Sequence, residues 1–203
     1  MNVLIIMKGV GYILARTKQF DYNEVLERAT EIFLEKGYDN TSFQDLVNHM
    51  GIHRRSIYDT YGDKKELYLK ALEKYSNFIN QNYFSLINDQ MNVYQKFEVI
   101  FNYSAFPKEN CPKGCLFVNS AIELALRDHE ISTQVDLFFD DTKKFFVKLL
   151  AIAKEKKEIP QDKNIYDLAS YLNNALIGIR VLVKCSPSNT ELSTIIKTTL
   201  SVL

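Results

Sequence analysis

Apolar residues recur at intervals of three and four positions along most of the chain. A clear example follows Asp21, which starts a capping-box pattern with Glu24. The apolar positions of this first helix are Val25, Leu26, Ala29, Ile32 and Phe33. Such spacing predicts an amphipathic helix, and no segment alternates with a period of two for long enough to predict a sheet. We therefore expect an all-α protein.

Short polar and glycine signals predict three further helices in the N-terminal region. The patterns Ser42-x-x-Asp45 and Asp63-x-x-Glu66 are capping boxes, and Gly51 permits a sharp turn between them. Together they predict helices over 42–50 and 53–61 and a longer fourth helix from 63 to about 80.

Longer helical patterns that are rich in aromatic residues continue beyond residue 80. Breaks that contain proline separate them. The predicted helices lie at about 93–105, 115–126, 130–156, 165–184 and 190–202.

The charged residues are balanced over the whole chain but are unevenly distributed along it. The 203 residues carry a formal net charge of zero, which argues against a general polyanion binder. Acidic residues crowd positions 21–45, whereas Arg54, Arg55, Lys64 and Lys65 cluster around the third and fourth helices. A local basic edge on a neutral protein suits the recognition of one short site.

Residues 41–67 combine the features that a DNA-reading helix requires. Two short helices flank a tight turn, and the second begins with Arg54 and Arg55, which can each donate two hydrogen bonds to a guanine. Hydroxyls and helix N-termini nearby can hold phosphates. The candidate DNA contacts are Thr41, Ser42, His53, Arg54, Arg55, Ser56, Tyr58, Thr60 and Lys64. The alternative is a helical partner-binding module without DNA activity.

The same segment resembles the tetracycline-repressor (TetR) family of bacterial transcriptional regulators. The matching motifs are Ala29-x-x-x-Phe33-x-x-x-Gly37-Tyr38, Thr41-Ser42-Phe43, and the run from Gly51 to Leu67. The chain departs from the family pattern at His53, where a serine cap is usual, and at Tyr61, which replaces a phenylalanine.

The resemblance implies a cytoplasmic homodimer of about nine helices per protomer. A helix-turn-helix head (17–66) would read a near-palindromic operator, and a body (67–203) would bind a small-molecule effector and dimerise. Effector binding would shift the fourth helix and release the operator, so repression is expected. The dimer contacts would be Leu168, Leu172, Ala175, Leu176, Ile179 and Leu182. Their alternative role is packing inside the protomer.

Aromatic residues of the body could line an effector cavity, which favours a lipophilic or aromatic effector. The candidate lining residues are Phe97, Phe101, Phe117, Phe138 and Tyr171. A second hypothesis is an electrophile or redox sensor that uses Cys111 and Cys115, because a helix N-terminus and the neighbouring Lys113 make a thiol more reactive. The alternative for Cys115 is a small buried apolar residue.

Other functional classes find little support. No G-x-S-x-G, P-loop, Rossmann glycine fingerprint or H-E-x-x-H motif occurs, and the cysteine spacing is not that of a zinc site. We therefore expect no enzymatic activity, no cofactor and no metal. The three cysteines favour a reducing cytosol. Segment 1–16 is apolar but lacks the basic start of a signal peptide, so we expect a frayed or mis-started N-terminus, with Met7 as an alternative start.

Overall fold

The computed structural model describes residues 20–107 and 113–203. These residues form nine α-helices and no strand, which confirms the prediction of an all-α protein. The helices are α1 Tyr22–Lys36, α2 Phe43–Met50, α3 Arg54–Tyr61, α4 Lys64–Leu86, α5 Val93–Ala105, α6 Leu116–Glu123, α7 His129–Glu155, α8 Ile165–Leu182 and α9 Asn189–Leu200.

The predicted helix signals of the N-terminal region have the expected geometry. Two of the three predicted capping boxes form, because Ser42 and Asp63 accept from the backbone at the third helical position while Asp45 and Glu66 accept in return. Asp21 caps α1 by accepting from the backbone N–H groups of Asn23 and Glu24, without the reciprocal bond that completes a box. Gly51 adopts a left-handed conformation, with φ 69° and ψ 24°, and ends α2. This turn sets the angle between α2 and α3.

Several helices end at other residues than predicted, and α6 ends at Glu123 instead of residue 126. Helix α4 continues to Leu86 instead of ending near residue 80, because Ile79 and Tyr83 extend its buried side while polar residues 80–82 occupy the other side. Helix α8 ends at Leu182 and a short 3-10 turn, Val183–Cys185, follows it. Ser186 then reverses the chain in a left-handed conformation.

Helix α4 belongs to both halves of the molecule. It packs against α1 and α3 of the head and against α5, α6 and α7 of the body. Buried Tyr68 and Leu72 are part of one apolar core that continues from α1 into the body. The domain boundary between 66 and 67 stays a prediction, because the core crosses it without a break.

Candidate nucleic-acid interface and effector cavity

Helix α3 is anchored by one face and exposes the other. Ile57 and Tyr61 are buried, and the Tyr61 hydroxyl donates a hydrogen bond to the backbone oxygen of Tyr22 at 2.8 Å. The opposite face carries exposed Arg54 and Arg55. A short helix held in this way keeps its leading residues in a fixed orientation.

The side chain of Arg55 is free to reach a ligand. It is 92 % exposed, and its Nε lies 3.6 Å from a carboxylate oxygen of Asp59 one turn later. An exposed ion pair of this kind contributes little stability. Arg55 can therefore exchange Asp59 for a base edge at little cost.

Arg54 is supported by aromatic rings. Its guanidinium carbon lies 4.8 Å from the centroid of the Phe43 ring, and Phe43 stacks on Tyr58 with the ring centroids 4.6 Å apart. Phe43 is half-buried at the first position of α2. A cation held on a ring face loses less conformational freedom when it binds. The sequence shows an aromatic residue at the first position of α2, but it does not show that this ring lies beside Arg54.

The remaining predicted DNA contacts are spread over different environments. Ser42 and His53 are exposed N-caps of α2 and α3, and the His53 side chain makes no capping hydrogen bond. Ser56 is half-buried, as is Thr60, whose hydroxyl oxygen has no partner within the described ranges. Thr41 requires a correction. It is buried and its hydroxyl donates to the backbone oxygen of Gly37 at 2.6 Å, so it shapes the turn before α2 and does not face solvent.

The two lysines at the start of α4 turn inward. The Nζ of Lys64 lies 4.3 Å from the Tyr38 ring centroid, and burial lowers the pKa of this ammonium group. Lys65 forms ion pairs with Asp128 at 2.8 Å and Glu130 at 3.1 Å, at the beginning of α7. The exposed basic edge of the head is thus concentrated on Arg54 and Arg55, and a phosphate role for Lys64 stays a prediction.

A cavity of about 660 Å³ lies between the head and the body. Helices α1, α4 and α5 form its walls, and Arg180 of α8 contributes from the body. A ligand here would touch α1 and α4 together. The main apolar members of the lining are Leu26, Leu34, Phe78, Ile79 and Phe106.

None of the five aromatics predicted to bind an effector lines this cavity. Phe97, Phe101, Phe117 and Phe138 are buried core residues, and Phe117 stacks on Phe138 with centroids 3.9 Å apart. Tyr171 is exposed on the outer face of α8. Aromatic richness alone could not separate core packing from a cavity wall.

The predicted dimer stripe of α8 also requires a correction. Leu168, Leu172, Leu176 and Ile179 are buried within the protomer, while Ala175 and Leu182 are half-buried. The opposite side of the helix, which faces solvent, mixes polar and apolar residues. Its exposed residues include Tyr171, Asn174, Gly178 and Val181.

Of the two proposed sensor cysteines, Cys111 lies outside the described residues. Cys115 precedes α6 as its N-cap and is fully buried, so its thiol is shielded from solvent. Thiol sensing stays a prediction. Within residues 20–107 and 113–203, no three histidine, cysteine or acidic side chains converge as a metal site would require.

Known proteins resemble the chain over nearly its whole length. A family model of bacterial regulatory proteins, tetR family, matches residues 25–71, and one of the tetracyclin repressor-like C-terminal domain matches residues 93–199. The HTH-type transcriptional regulator YezE of Bacillus subtilis is 34% identical over 94% of this chain and 100% of its own length. The repressor ComR of Escherichia coli is 25% identical over 91% of this chain and 90% of its own length.

A solved structure has the same fold. The TetR-family regulator CifR, a cysteine variant bound to 26-bp double-strand operator DNA, superposes with a TM-score of 0.83 at 20% identity, over 92% of this chain and 98% of its own. The chain therefore belongs to the TetR family of bacterial transcriptional regulators, as its N-terminal motifs predicted. None of the described helices is long and apolar enough to cross a membrane.

Proposed function

We propose that this protein is a cytoplasmic repressor that reads its operator mainly through Arg55 and Ser56 of α3. The observation that carries the proposal is the exposure of Arg55 on a helix whose opposite face is locked into the core. Arginine can hydrogen-bond both acceptors of a guanine in the major groove, and such a pair contributes about 1–3 kcal/mol of discrimination.

A two-fold dimer would present two such helices to one DNA duplex. The exposed outer face of α8, with Gly178 in its C-terminal half, supports pairing through this helix. A Cβ atom added at Gly178 would meet nothing within 4 Å of the protomer, so a partner helix can approach the backbone closely. The operator would then be near-palindromic, with its half-sites about one helical turn or somewhat more apart.

A small molecule in the 660 Å³ cavity would release the DNA. The cavity is lined by α1 of the head and by α4, which packs on both halves. A ligand that separates these two helices would tilt α2 and α3 relative to the body. Because the two heads must match the half-site spacing, a small tilt weakens binding to both half-sites.

Footprinting tests this proposal directly. Purified protein is incubated with the DNA that flanks its own gene, and protection from DNase I is measured at several salt concentrations. We expect one protected, near-palindromic segment and an affinity that falls steeply with salt, because phosphate contacts release counterions. Protection of a single asymmetric half-site would refute the dimeric mode, and absence of any protected segment would show that the operator does not lie beside the protein's own gene.

A further inference from the structure

A buried arginine stands at the body end of the cavity. Arg180 is only 3 % exposed, although it lines the cavity between α4, α5 and α8. Its Nη2 donates to the Tyr83 hydroxyl at 2.5 Å, and its guanidinium carbon lies 5.6 Å from the Phe138 ring centroid. These contacts hold the guanidinium in place.

The charge of Arg180 has no counter-charge in the described part of the chain. No carboxylate oxygen lies within 4.0 Å of it, and its Nη1 has no hydrogen-bond partner there. The Tyr75 hydroxyl and the Cys115 thiol are near, but burial raises the pKa of Tyr75 and keeps that group neutral. An arginine cannot lose its proton to escape burial, so an unpaired one is costly.

The acidic residues that line the cavity are distant from Arg180 or occupied. Glu73 precedes Tyr83 by ten residues, which is about 15 Å along α4. Glu27 lies 3.7 Å from the Lys74 ammonium, and Glu31 lies 3.3 Å from a His49 ring nitrogen. They therefore leave the guanidinium available to a ligand.

We propose that Arg180 is the anchor for an effector that is an apolar monocarboxylate. The inference rests on the proposed function, because it names the chemical class of the molecule that would occupy the repressor's cavity. The Nη1 atom is buried and has no partner, and a shift of the side chains around it would open its N–H groups, beside Nη2, as the fork that carboxylates bind with two parallel hydrogen bonds. Apolar walls at Ile79 and Phe106 would receive the hydrocarbon part.

The charge of the site fits one negative charge better than two. The other cations of the described lining, Lys70 and Lys74, precede Tyr83 by thirteen and nine residues on α4. Along the helix, Lys70 is therefore about 20 Å and Lys74 about 13 Å from Tyr83. A phosphate dianion bound at Arg180 would find neither of them close by, and Lys184, four residues after Arg180, already donates a hydrogen bond to Asn119 at 2.8 Å, whereas a carboxylate needs no second cation.

Matched ligand pairs test the inference by titration calorimetry on the full chain. Benzoate, 4-phenylbutyrate and 1-naphthoate are each compared with the corresponding primary amide, which has nearly the same shape and no charge. We expect at least one carboxylate to bind about tenfold or more tightly than its amide, and Arg180→Met to remove this preference. Lys70→Met, which also deletes a cavity cation, should retain it.

Three calorimetric results would overturn the inference. The first is that acid and amide bind equally, or not at all, in all three pairs. The second is that Arg180→Met still binds the carboxylate more tightly than the amide. The third is that Lys70→Met loses this preference as completely as Arg180→Met does. The melting temperature of ligand-free Arg180→Met gives an independent readout. It should equal or exceed that of the wild type, because an apolar side chain replaces an unpaired buried charge. A lower value would show that the guanidinium holds the fold together, and would refute the inference.

Operator binding by the same wild-type protein, measured by gel shift, separates this inference from the proposed function. A preference for carboxylates without operator binding would support the anion site and refute the proposal that the protein is a repressor. Operator binding without any preference for carboxylates would refute only the proposed anion site at Arg180.

Discussion

The carboxylate of Glu123 accepts a hydrogen bond from the backbone N–H of Tyr38 at 2.8 Å. It also accepts one from the N–H of Asp39 at 3.3 Å, and the Asp39 carboxylate pairs with Arg127. The end of α6 thus holds the loop between α1 and α2. This loop is a direct mechanical link between the body and the DNA-reading head.

Glu123→Ala should lower the free energy of unfolding by about 1.5 kcal/mol, because it leaves two backbone donors without their charged acceptor. Urea denaturation followed by circular dichroism measures the change. Glu155→Ala, an exposed change at the end of α7, is the control and should have little effect. Equal losses in the two variants would show that the Glu123 contacts do not stabilise the fold.

Gly51→Ala should destabilise the head by about 1–2 kcal/mol, because a side chain at φ 69° is strained. The added Cβ would also lie 3.2 Å from the end of the Arg28 side chain, which can move aside. Gly51→Asn is the matched variant and should lose less, since asparagine tolerates the left-handed conformation better. Differential scanning calorimetry measures the melting temperatures. Gly51→Ala and Gly51→Asn proteins that both melt at the wild-type temperature would contradict this prediction.

The Asp45 carboxylate should make stability depend on pH. Hydrogen bonds from Lys36 and then from Ser42 hold the pKa of Asp45 well below its ordinary range. A lowered folded-state pKa stabilises the protein above the unfolded value, near pH 4, and this stabilisation is lost as the pH falls further. The melting-temperature gap between the wild type and Asp45→Asn should therefore shrink from pH 7 to pH 3. Asp89→Asn, in the loop after α4, is the control, and a gap that is constant with pH would contradict the assignment.

Gly178→Arg should convert a dimer into monomers without unfolding the protomer. The position is exposed, and the space beside it is open within the protomer. A partner helix packed there would meet the long charged side chain. Sedimentation velocity measures the result, with Asn80→Arg on α4 as a control of equal charge change. If both variants remained dimeric, pairing through this face of α8 would be excluded.

The helices of the head were predictable because their signals are local. Capping boxes such as Asp63-x-x-Glu66 act within four residues, and the inward positions of Ile57 and Tyr61 follow from their spacing. The support of Arg54 by Phe43 was not predictable, because it depends on the angle between two helices. The exposed edge around Arg54 and Arg55 therefore followed from sequence, but its aromatic base did not.

The two sides of α8 show the same limit in the body. The spacing of apolar residues predicted a stripe through Leu172 and Leu176. It could not decide whether this stripe faces the protomer's own core or a second copy of the chain. Arg180 interrupts that apolar stretch and shares its buried side. A lone cation within an apolar helical face was visible in the sequence, but only the structure shows that its guanidinium lines a cavity.

The affinity of Arg55→Ala for the operator tests the central claim most directly. Fluorescence anisotropy compares the wild type, Arg55→Ala and Lys148→Ala, which removes an equal charge from an exposed site on α7, on operator and on scrambled DNA. We predict that Arg55→Ala loses about tenfold or more in operator affinity and much less on scrambled DNA, while Lys148→Ala changes neither appreciably. Operator binding by Arg55→Ala at the wild-type level, or an equal loss on both DNAs, would contradict the account.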